Sequence, residues 1–159
     1  MLNLTSSQLL AEESKLVLQI FDISVALEIG EIAKSFGTQR GLPIAVEVRI
    51  GDWIIYHASL PGSTSGNQWW IDRKARVVLL KHHSTLYERV SAEERGVDWH
   101  KENNLLDETH AIHGGGLPLI TKSDGFVGVL LVSGLPQVDD HLLGVEVLTE
   151  FLARKSELL

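Results

Sequence analysis

Apolar positions along the chain repeat at two periods, and the switches between them mark out the elements. Leu9, Leu10, Leu16, Val17 and Ile20 recur at near-helical spacing. They predict a first helix reaching to about Phe21, opened by Thr5 with Gln8 in a capping box. Val25, Ala26, Ile29, Ile32, Ala33 and Phe36 keep that period and stop at Gly37, a residue type favoured just past helix ends. After Gly41 the period drops to two. Ile44, Val46, Val48 and Ile50 alternate with Glu47 and Arg49, Gly51-Asp52 turns the chain, and Trp53 to His57 reads as a returning strand. Leu60 to Asn67 is a loop, and helical spacing resumes from Gln68 to Val90. A shorter helix is predicted within Ser91 to Asn103, and His113-Gly-Gly-Gly116 is a second loop. Leu117–Thr121 and Phe126–Ser133 then form a second hairpin, and Pro136 to about Arg154 closes the chain as a helix. Asp139 and Asp140 at its start, with Arg154 and Lys155 at its end, match the helix dipole.

The order helix, helix, hairpin, helix, hairpin, helix predicts an α/β fold of the α+β kind. Its sheet is antiparallel, with helices on both faces. No repeat, linker or low-complexity stretch divides residues 1–159, so a single domain is expected. Apolar residues make up 44% and charged residues 22%, which is a globular balance. The absence of cysteine excludes disulfides, thiolate metal sites and cysteine nucleophiles, and fits a reducing compartment. The N-terminus lacks the marks of a signal peptide, and no apolar run approaches the roughly 18 residues that span a bilayer. A cytoplasmic location without a membrane partner is therefore expected. With a net charge of −7 and only the short Arg73-Lys-Ala-Arg76 cluster, the chain lacks the basic stripe that binds nucleic acid.

On a helix from Gln68 to Val90, Ile71, Ala75, Val78, Leu79, His82 and Leu86 share one arc and predict the core face. His82 there reads as a buried imidazole. Trp69, Val77, Leu80 and Tyr87 lie opposite, among Arg73, Arg76 and Ser84. Such a second face is explained by a contact with another subunit, or by the segment Ser91–Asn103 folding back over it.

Gly62-Ser-Thr-Ser-Gly66 sits between strand and helix like a nucleophile elbow, but its centre is Thr64 where that motif needs serine. The loop's N–H groups and hydroxyls suit an anion instead, and Arg73, Lys74 and Arg76 near that helix start call for negative charge. An anionic ligand, a neighbouring subunit's acids, or ordinary capping and surface ion pairs would each supply an answer. The seven histidines show no metal-ligand spacing, so no metal site is expected. Gly114-Gly-Gly116 marks a close backbone approach, to backbone or to ligand.

Gly114-Gly-Gly-Leu-Pro-Leu, Gly125-Phe-Val-Gly-Val, Val132-Ser-Gly-Leu and Asp139-Asp-His141, in that order, resemble the GlcG/HbpS-type haem-degrading domain family. Pro61-Gly62, Asn67, Trp70, Lys74 and His83-Ser84 are similar to its small uncharacterised bacterial and fungal branch. The resemblance implies a profilin-like three-layer α/β/α fold with about five antiparallel strands, as layer rules allow. It also implies a homo-oligomer, and haem as a possible cofactor. Together, motifs and resemblance mark Asn67, Trp70, Lys74, His83, His113, Gly115, Gly116 and Ser133 as candidate ligand-binding residues. The ligand expected there is haem or a small organic anion. The alternative is a non-enzymatic assembly or adaptor protein, and no catalytic residue is identifiable.

Overall fold

The computed structural model describes residues 3–157. Helix α1 (Ser6–Lys15) opens with the Thr5–Gln8 capping box. It ends earlier than its periodicity suggests. Leu18 instead makes a parallel bridge with Thr121, its N–H donating to the Ile120 carbonyl at 2.8 Å. Helix α2 (Ile23–Gln39) is capped by Asp22, whose carboxylate accepts from Val25 N at 2.9 Å. Gly37 is not its terminator: it lies inside the helix, where a Cβ would overlap the Leu60 side chain.

Strands β1 (Ala45–Ile50), β2 (Trp53–Ser59), β3 (Gly116–Thr121) and β4 (Gly125–Ser133) form an antiparallel sheet in the order β2-β1-β4-β3. It has four strands among the described residues, against the expected five or so. At the outer edge of β3, Leu18 makes an isolated bridge in place of a strand among the described residues. Pro118, which has no N–H to donate, is tolerated because β3 is an edge strand.

The predicted long helix is two helices. Helix α3 (Ser65–Lys81) ends at His82, which takes the left-handed conformation at φ 61°. Ser84 then caps α4 (Thr85–Arg95) by accepting from Tyr87 N at 3.1 Å. Glu13 of α1 stabilises the break, its carboxylate accepting from Ser84 N at 2.8 Å and pairing with His83 at 2.8 Å. This corrects two expectations. Tyr87 is not on the same helix as Trp69 and Leu80, and His82 is exposed, stacked on Phe126 with centroids 4.1 Å apart. The fold-back cover does occur over Val77, which is buried with Ala92 of α4 and Trp99 of α5 (Trp99–Asn103). Trp69 and Leu80 stay about half exposed.

Helices α2 and α6 (Gln137–Glu157) cover one sheet face, and α3, backed by α4, covers the other. Strand alternation sends Ile44, Val46, Val48, Leu130 and Val132 towards α2 and α6, and Ala45, Val129 and Leu131 towards α3. No described helix is long and apolar enough to cross a membrane.

Candidate functional site

Strand β4 ends at Ser133 between the N-termini of α3 and α6, and a cleft of about 230 Å³ opens there. Asn67, Trp70 and Lys74 reach it from α3, His113 from the glycine loop, and Ser133, Gly134, Leu135, Gln137 and Asp140 from the β4–α6 junction. Asn67 is fixed in orientation. Its Oδ1 accepts from Thr64 N at 2.8 Å, so its amide Nδ2 donates to Ser133 Oγ at 3.1 Å. The Ser133 hydroxyl hydrogen is thereby left to find another acceptor.

Lys74 is buried at the cleft floor, where Nζ donates to the Val132 carbonyl at 3.0 Å and to Asp140 Oδ2 at 3.2 Å. Burial holds the Lys74 ammonium below the usual lysine range, although Asp140 opposes that shift. Burial likewise pushes the Asp140 carboxyl up to about 6, opposed by Lys74 and by the Leu135 N–H that donates to Oδ1 at 2.9 Å. Gly115 makes this pair possible. Its φ is +122°, and a Cβ there would overlap the Val132 carbonyl and crowd Lys74 Nζ.

His113 packs edge-on against Trp70, centroids 4.7 Å apart, and its buried Nδ1 has no hydrogen-bond partner among the described residues. Burial first, then Arg89 and Lys74, lower its pKa, which favours the neutral ring.

The structure thus brings Asn67, Trp70, Lys74, His113 and Ser133 to one cleft, with Gly115 against its floor. Gly116 lies one step further in, donating its N–H to Thr85 Oγ1 at 3.1 Å. His83 is outside, paired with Glu13. Arg73, Lys74 and Arg76 of α3 find partners within the chain. Arg73 pairs with Asp107 at 2.9 Å under Trp69 and Trp70, Lys74 with Asp140, and Arg76 donates to the Thr109 carbonyl at 3.0 Å. In the Gly62–Gly66 loop, Thr64 caps α3 and the Ser63 hydroxyl donates to the Leu60 carbonyl, so neither joins the cleft. Asp140 was not legible as a site residue, because its position in a helix's first turn already had an explanation in the dipole. Among the described residues no three His, Asp or Glu side chains converge as a metal site.

Residues 21–149 match the family described as haem degrading protein HbpS-like. The chain belongs to that family. A UPF0303 protein of Streptomyces avermitilis is 38% identical over 150 residues, covering 94% of this chain and 92% of the relative. One from Rhizobium johnstonii is 35% identical over 153 residues, covering 96% and 94%. Among solved structures, that of Ybr137w protein superposes with a TM-score of 0.85 at 24% identity, covering 93% of this chain and 88% of that one. The structure titled PduOC:Heme complex gives 0.68 at 16% identity, covering 83% and 94%. At those identities the structural likeness speaks for the fold. In this HbpS-like chain the cleft's chemistry rests on its own residues.

Proposed function

We propose that this HbpS-like chain is a cytoplasmic small-ligand-binding protein whose cleft takes a small organic anion. The observation that carries the reading is that Lys74, Ser133 and Gln137, at the start of α6, line one cleft. Lys74 Nζ makes two hydrogen bonds and has three hydrogens, the Ser133 hydroxyl accepts from Asn67 and keeps its own hydrogen, and the first backbone N–H groups of a helix have no intrahelical acceptor. Two helix N-termini add a favourable field for negative charge. Trp70 supplies an apolar wall, so the ligand pairs a carboxylate or comparable oxyanion with a small apolar part. Thermal-shift screening against small carboxylates and phosphates tests this, since a ligand at 100 times its Kd stabilises by about 2.7 kcal/mol. Shifts from a carboxylate that vanish in Ser133→Ala support the reading, and a flat panel overturns it.

Haem is the ligand that the family and one structural neighbour suggest. This chain's cleft fits it poorly. Its 230 Å³ falls below the roughly 300–1,000 Å³ of pockets for drug-sized ligands. Among the described residues His113 Nδ1 also lacks the acceptor that orients a metal-bound imidazole. A Soret shift on haem titration that His113→Ala abolishes would reverse this preference.

A second reading, a homo-oligomeric assembly or adaptor protein, draws on Trp69 and Leu80, which α3 leaves exposed. Light scattering separates it: a monomer at micromolar concentration removes self-association.

A further inference from the structure

A second group of polar side chains lies outside the cleft lining, on the outermost strand β2 and its neighbour β1. Glu47 of β1 stands directly across from His57 of β2, and Ser59 is two residues further along β2. Strand alternation therefore places all three side chains on one face. Glu47 is 1% exposed and both of its oxygens are held: Arg49 Nε donates to Oε2 at 2.6 Å and Gln68 Nε2 to Oε1 at 3.3 Å. His57 Nδ1 lies 3.0 Å from the same Oε1, and His57 Nε2 lies 2.9 Å from Ser59 Oγ. A carboxylate only accepts, so Nδ1 carries a proton, and in the neutral ring Nε2 presents a lone pair to the Ser59 hydroxyl. Hydroxyl, imidazole and carboxylate thus stand in the order and spacing of a nucleophile, a general base and its orienting group.

We propose that Ser59 and His57, positioned by Glu47, form an acyl-transfer site for small carboxylic esters. The site is independent of the cleft and of the ligand proposed for it. Helix α3 packs across β1, β3 and β4, and leaves Ser59 and His57 open to solvent. Leu60 N donates to the Ile44 carbonyl, so alternation points the Ser59 N–H away from β1, on the open side of the outermost strand. That N–H is one donor for a developing oxyanion, where efficient enzymes use two or more, and acylation is accordingly slow. Three carboxylates, Glu47, Asp52 and Asp72, surround the single Arg49, so neutral or cationic esters are favoured over anionic ones.

In the step, Ser59 Oγ bonds to the acyl carbon while His57 Nε2 takes its proton. The alkoxide leaves with that proton as the alcohol. Water, deprotonated by His57, then bonds to the acyl carbon; the C–Oγ bond breaks, Ser59 Oγ takes the proton back from His57 Nε2, and the carboxylic acid is released.

The test is phosphonylation of the whole protein by a small alkyl fluorophosphonate, which forms an Oγ–P bond and expels fluoride. It is followed by intact mass and peptide mapping, with release of nitrophenol from p-nitrophenyl acetate in parallel. The expected result is a single adduct on Ser59, absent in Ser59→Ala and at least about 100-fold slower in His57→Ala. Glu47→Gln should slow it by about 10-fold or more and move the His57 proton to Nε2, read in the imidazole ¹⁵N spectrum. No adduct, an adduct elsewhere, or an equal rate in His57→Ala overturns the proposal. Ser59 and His57 are exposed, so those two variants decide the matter even should Glu47→Gln fail to fold.

Discussion

Towards α2 and α6 the sheet meets an unbroken apolar layer, in which Ile29, Ile32, Val46, Leu130, Val132, Val147 and Leu148 are all essentially inaccessible to water. Towards α3 the apolar contact is a small patch around Ile71, Ala75 and Val78, and buried Glu47, Arg49, Arg73 and Lys74 surround it. The first face is held by area removed from water, the second by paired charges whose desolvation nearly offsets their attraction. The chemistry of the chain gathers towards the second face, where Arg73 Nη1 and the His113 Nδ1 beside Trp70 are buried without a hydrogen-bond partner among the described residues.

The largest effects should come from exchanging the character of the two faces. Ile29→Ala, on the apolar face, should cost about 2–5 kcal/mol in urea denaturation, with no change in any ligand's affinity beyond that of stability. Lys74→Met, on the polar side, leaves Asp140 buried and unpaired and should cost about 3–5 kcal/mol. The Lys74→Met/Asp140→Leu double variant should recover much of that loss while remaining unable to bind the anion. A double variant no more stable than the single would show that the pair is not the unit described here.

The next effect depends on pH. The Asp140 carboxyl sits at about 6, above its value in an unfolded chain. Its contribution to stability is therefore full below about pH 4 and is lost as the pH rises through 6. Against Asp140→Asn, which does not titrate, wild-type stability should fall by on the order of 2 kcal/mol between pH 4 and 7. A constant difference across that range would contradict the assignment. The smallest effect is local: Asn67→Ala removes the bond that orients Ser133 and should weaken ligand binding by about 10-fold, with stability lowered by only about 1 kcal/mol.

The apolar face was the legible one. The alternation of Ile44 to Ile50 and the spacing of Val25 to Phe36 predict which residues face inward, because periodicity reports burial directly. The polar side was legible only in pieces. Asn67, Trp70, Lys74, His113 and Ser133 could be singled out, but Asp140 closes the pair with Lys74 from 66 residues away, and no spacing announces that. The break at His82 was missed for a related reason. Helical spacing continues across it, and what ends α3 is the Glu13 carboxylate accepting from Ser84 N, a contact 71 residues apart. His57 and Ser59 escaped notice because their relation to Glu47 lies in strand register, which a motif search along the chain does not read.

Titration of ¹⁵N-labelled protein with a small monocarboxylate, followed by amide and indole NMR, tests the central claim most directly. Saturable shifts confined to Asn67, Trp70, Gly134, Leu135 and Gln137, and lost in Ser133→Ala, are the predicted result. Saturable shifts centred elsewhere, or none at millimolar ligand, would contradict it.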